Sequence, residues 1–159
     1  MGRQNRLTPF IILIVIFLLL QPALILLDRR QTPETAAKAF VKDYFYLDPA
    51  MENRLCSTQM SPAEAVDNYL YAKRVEAAQR GFDTTYLRQM FTNLHLATIS
   101  QEEQSAIVHV TGTTRTAINP VYMTIGRWFG LGQNHPVDLT LELVKEDGQW
   151  RVCGGVPGL

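Results

Sequence analysis

Three histidines, two cysteines and a scatter of carboxylates are the side chains with which this 159-residue chain could do acid–base, nucleophilic or metal chemistry. Their spacing argues against most of it. The histidines and cysteines do not fall at the close, paired intervals of a zinc site. There is no C-x-x-C, G-x-S-x-G, H-E-x-x-H or phosphate-binding loop. Asp138, Glu142 and Tyr44 are acid–base candidates only in the generic sense that any carboxylate or phenol is. Tyrosines at 44, 46, 69, 71 and 86 could line a polar pocket, but aromatic residues at helical spacing belong more often to core and rim. No catalytic residue, cofactor site or metal site is assigned, and the chain is not expected to be an enzyme.

Two other groups stand out by type. Cys56 and Cys153 are an even pair, and in an oxidising compartment they are expected to form a disulfide. The connection from Thr116 to Pro136 carries an apolar, aromatic and glycine-broken stretch whose one charge is Arg127. Val121, Tyr122, Ile125, Arg127, Trp128, Phe129 and Leu131 are assigned as a contact surface, with Trp128 and Phe129 as anchors, because aromatic side chains carry much of the energy of typical interfaces. The alternative is a core strand whose glycines make a bulge.

Stepping toward the amino terminus, Leu7 to Leu27 is twenty-one residues without a charge, followed at once by Asp28-Arg29-Arg30. As a helix this is roughly 31 Å long, enough to cross a hydrocarbon core of about 30 Å. Gln21-Pro22-Ala23 returns to large apolar residues rather than to a small-residue cleavage site, so an uncleaved anchor is expected. The organisation is then a tail at 1–6, a transmembrane helix at 7–27 and a domain at 28–159.

Basic residues do not orient the span. Arg3 and Arg6 precede it, while Arg29, Arg30, Lys38 and Lys42 follow. The cysteine pair and the six-residue tail place the domain on the extracytoplasmic, periplasmic side of the cell (inner) membrane. Removing Arg3 and Arg6 leaves 13 basic against 15 acidic side chains, a net charge of −2. That balance lacks the basic face a nucleic-acid partner would need.

Within the domain the period changes once. Thr32-Pro33-Glu34 supplies a cap, a first-turn proline and an acidic residue, and Ala37, Phe40, Val41, Tyr44 and Leu47 follow at helical spacing up to Pro49. Ser61-Pro62-Ala63-Glu64 has the form of a capping box and opens a second helix carrying Val66, Tyr69, Leu70 and Lys73, with Gly81 as the stop. A short third helix is expected after Asp83, taking in Tyr86, Leu87, Met90 and Phe91.

Period two takes over from Leu94. One apolar face should hold Leu94, Leu96, Val108 and Val110, which puts His95 and His109 together on the other. Val137, Leu139, Leu141 and Leu143 mark a later half-buried strand, and Asp147-Gly148 is a hairpin turn leading to Trp150 and Val152. The expected class is α+β, helices packed on one face of a curved antiparallel sheet behind a single transmembrane helix.

This order of elements, ending in Leu139 to Cys153 with its Lys-x-Asp-Gly turn and Trp-x-Val strand, resembles the nuclear-transport-factor-2-like (NTF2-like), or cystatin-like, α+β fold over roughly residues 32–156. A single span ahead of that fold also looks like the inner-membrane assembly proteins of the VirB8 type in bacterial secretion and conjugation systems. The fold hosts enzymes, ligand-binding proteins and scaffolds alike, and it is the span and the aromatic loop that point to an accessory or assembly subunit of a membrane protein complex, working by binding to the bilayer and to other membrane subunits. The alternatives are a pocket protein for a small apolar ligand and, third, an NTF2-like enzyme.

Overall fold

Thr32 opens the first helix as its sequence suggests. The computed structural model, which describes residues 13–18, 21, 31–57, 61–116 and 134–159, has α1 at Pro33–Tyr46 with the Thr32 hydroxyl accepting from the Thr35 amide. The Thr35 hydroxyl returns the bond from the Thr32 amide at 2.9 Å, closing a capping box. Ala37, Phe40, Val41, Tyr44 and Leu47 are all buried. Pro49 forbids a further helical turn, and Leu47 takes the left-handed conformation to redirect the chain into a 3₁₀ turn at Pro49–Arg54.

The second helix, α2 at Pro62–Gln79, buries Val66, Tyr69 and Leu70. Its expected capping box is not closed, since the Ser61 side chain makes no cap hydrogen bond. The expected third helix is also not formed. It stops after one 3₁₀ turn at Thr84–Leu87, capped by the Asp83 carboxylate on the Thr85 amide at 2.9 Å. Met90 and Phe91 belong instead to a strand, paired with Arg115 and Thr114. A continuous ladder satisfies main-chain groups that one more helical turn would leave at a frayed end.

Among the described residues four antiparallel strands follow in sequence order: β1 (Gln89–Gln101), β2 (Ser105–Thr116), β3 (His135–Glu146) and β4 (Gln149–Gly154). Asp147 and Gly148 both have positive φ, as the two-residue turn between β3 and β4 requires. Register shifts after Phe91 and after Thr98 bend the edge strand β1. Gly112 lies where an added Cβ would meet the Asn93 carbonyl oxygen at 2.3 Å, so the backbones approach more closely there than a side chain permits. α1 crosses one face and touches all four strands. Phe40, Met51, Leu141, Leu143, Val108 and Val110 fill the space between them with at most 1% exposure.

Residues 1–31 form a separate unit from 32–159. Residues 13–18 and 21 are helical, and the side chains from Leu13 to Leu18 are exposed. Among the described residues no helix is long and apolar enough to cross a membrane. Most of the expected span at 7–27 lies outside the described residues.

Candidate functional site

The outward face of the sheet brings the histidines together as neighbours. Leu96 pairs with Val110 on the α1 side, so His95 opposite Thr111 and His109 opposite Ala97 both point outward. His109 Nε2 lies 2.7 Å from Asp138 Oδ1. Asp138 is itself opposite Thr111 from the other side, so Thr111 stands between it and His95. The Asp138 side chain is 76% exposed, a setting in which water competes for the charge and a pair is worth little. Glu142 is exposed two outward positions along β3. Tyr44 is on the opposite, buried side. The three generic acid–base candidates are thus not assembled into one site.

Tyr44 has a structural task. Its hydroxyl donates to the Pro157 carbonyl at 2.7 Å, and its ring stacks on Tyr69 with centroids 4.9 Å apart. Burial, and after it the Tyr44 hydroxyl, pushes the Tyr69 phenol above its usual range. Tyr46, Tyr71 and Tyr86 are exposed, so the five tyrosines do not converge on a polar pocket.

Cys56 and Cys153 lie at disulfide-bonding distance, with Cα atoms 5.1 Å apart. Cys56 donates its amide to the Val152 carbonyl at 2.9 Å, beside a parallel bridge between Leu55 and Val152. The Glu146 carboxylate accepts from the amide and hydroxyl of Ser57, each at 3.1 Å. Arg151 donates to the Asn53 carbonyl at 2.9 Å. Cys56, Glu146 and Cys153 are close enough to share a metal ion, but sulfurs joined to each other are not the thiolates that hold one.

A cleft of about 310 Å³ opens between the end of α1 and the start of β1, lined by Lys42, Asp43, Tyr46, Asp48, Gln89, Met90 and Phe91. Assigning Met90 and Phe91 to a helix hid it from the sequence reading. The signal available was the adjacent aromatic and β-branched pair Phe91-Thr92, residue types that favour a strand. Thr114 is a fully buried polar residue whose hydroxyl donates to the Gln89 side-chain oxygen at 2.7 Å and fixes that wall. The expected contact residues Val121, Tyr122, Ile125, Arg127, Trp128, Phe129 and Leu131 lie outside the described residues.

No family model matches the chain, and no curated protein matches it. Two solved structures overlap with it. One is a calcium/calmodulin-dependent protein kinase II association domain from Xanthomonas campestris, 13% identical, covering 77% of this chain and 88% of that one with a TM-score of 0.40. The other is the intermembrane-space region of the chloroplast protein ARC6, 15% identical, covering 77% and 94% with a TM-score of 0.39. At that level of likeness nothing about the site is carried over.

Proposed function

We propose that this chain is a single-span, membrane-anchored accessory or assembly subunit of a membrane protein complex, acting by binding through an NTF2-like domain held on the extracytoplasmic side. The observation that carries the reading is the filled interior. Phe40, Met51, Val108, Val110, Leu141 and Leu143 fill the space between the middle of α1 and the sheet, and none of them lines the cleft at Lys42 and Gln89. The apolar side chains from Leu13 to Leu18 are exposed, as a lipid-facing helix requires, and the cysteine pair suits an oxidising compartment. Binding is assigned to Val121–Leu131, the stretch with the densest apolar and aromatic content outside the anchor.

The test is purification of the tagged full chain from its own membranes in mild detergent, beside the Trp128→Ala/Phe129→Ala double variant. The expected result is that carbonate washing leaves the chain in the membrane, and that the variant keeps its melting temperature while losing the co-purifying subunits. Release by carbonate, or a folded variant that retains every partner, overturns the proposal.

A further inference from the structure

The two edges of the sheet differ. β4 is closed by the chain around Cys56, whose amide donates to the Val152 carbonyl, whereas β1 ends the strand order with no strand beyond it among the described residues. The Thr98 amide donates to the Glu34 carboxylate at 3.3 Å and the Thr98 hydroxyl to the same oxygen at 2.9 Å, so that amide points away from β2. Pairing with β2 is unbroken from Asn93 to Thr98, and main-chain groups alternate in direction along such a strand, so Leu94 and Leu96 present theirs to the open edge as well. Neither makes a hydrogen bond beyond the sheet ladder among the described residues. Open edges are usually blunted by charged side chains, yet Gln89–Gln101 contains no Lys, Arg, Asp or Glu. The charges lie just outside it, Arg88 before the strand and Glu102 and Glu103 after it.

We propose that β1 pairs edge to edge with β1 of a second copy of this chain, antiparallel about a two-fold axis at His95. Free hydrogen-bonding groups select the register. Leu94 then faces Leu96 of the second copy, twice, so the groups left open satisfy one another. An axis at Leu96 would instead require the Thr98 amide, which Glu34 already holds. The faces agree too, because Leu94 and Leu96 both lie on the α1 side while Asn93 and Ala97, opposite each other across the new seam, both point outward. Charge selects a second copy over a foreign strand. Arg88 falls opposite Glu102 of the other copy at each end of the seam, and the uncharged strand between them pairs with itself without repulsion. This seam draws on none of the residues from Val121 to Leu131 and so is independent of the contact assigned to them.

The experiment uses the full chain in mild detergent, with sedimentation for self-association and cysteine cross-linking for register. His95→Cys should give a covalent dimer under mild oxidation, since residues facing each other at the axis have Cα atoms about 4.5 Å apart. Ala97→Cys, equally exposed, should not, because the two copies of that position are four residues out of step, roughly 14 Å apart. Glu102→Arg should weaken self-association about tenfold as two ion pairs give way to repulsion, and Arg88→Glu/Glu102→Arg should restore it. The Trp128→Ala/Phe129→Ala variant should dimerise like the parent. A chain that is monomeric at every concentration, equal cross-linking at positions 95 and 97, cross-linking of position 95 only to a different polypeptide, a folded double charge reversal that stays weak, or loss of the dimer in the Trp128/Phe129 variant overturns the proposal.

Discussion

On the face of the sheet that α1 covers, Val108, Val110 and Leu141 are fully shielded from water, whereas one position along each strand His109 and Thr111 are half-buried and Thr140 is exposed. The same strands therefore carry two different kinds of information. The covered face is constrained by volume, since a close-packed interior registers the loss of even one methylene. The outward face is constrained only by solubility and by whatever it touches. His109 and Asp138 can pair there without either being needed for the fold.

Phe40→Ala should give the largest effect. Phe40 is fully buried between Tyr44 and the sheet, and phenylalanine truncations in cores cost about 4 kcal/mol, lost transfer energy and cavity together. Urea unfolding followed by circular dichroism should show the midpoint falling with little change in slope. A cost under about 1 kcal/mol would mean that the covered face is not packed tightly, and the contrast between the faces would collapse.

Removing the link between Cys56 and Cys153 should come next. The cysteines are 97 residues apart in sequence, and closing a loop of that size restricts the unfolded chain by an amount typically measured at about 3 kcal/mol. A Cys56→Ser/Cys153→Ser variant should unfold at correspondingly lower urea, and reduction of the native chain should reproduce the shift. Equal stability before and after reduction would show that the main-chain bond from Cys56 to Val152 and the Ser57 to Glu146 contacts suffice to hold this edge of the sheet.

Much of this contrast was legible from residue spacing. The alternation through Leu96, Val108 and Val110 located the covered face and put His95 and His109 on the other, because a strand has only two sides. The Asp147-Gly148 turn was legible for the same kind of reason, as few residues accept two consecutive positive φ values. Residues 84–91 were not. Leu87 and Phe91 are spaced as on a helix, and both do pack against the core, but one sits at the end of a 3₁₀ turn and the other in a strand. Short apolar intervals fit either period, and the choice was made by pairing with Thr114 and Arg115, more than twenty residues away. The cleft was lost with that segment.

Tyr44→Phe sharpens the comparison at the covered face itself by leaving the ring and removing one hydroxyl. The bond to Pro157 would be lost and the carbonyl left to find water, a cost of about 1 kcal/mol. The same variant should loosen the carboxy-terminal residues, where Val156 and Leu159 pack on the core. Amide hydrogen exchange at Leu159, whose amide donates to the Val156 carbonyl, is the readout. Unchanged exchange there would mean that apolar packing alone holds the tail.

The smallest effect is expected across the outward face, where a double-mutant cycle on His109→Ala and Asp138→Ala isolates the pair. Their 2.7 Å contact is short, yet the Asp138 side chain is 76% exposed and the His109 side chain 37%. At such exposure solvent screens the attraction and two side chains must be immobilised to gain it, so the coupling should be about 0.5 kcal/mol and should fade as salt is raised. A coupling several times larger, insensitive to salt, would require the pair to be shielded from water. Asp138 and Thr140 are exposed on this face, so nothing among the described residues supplies that shielding.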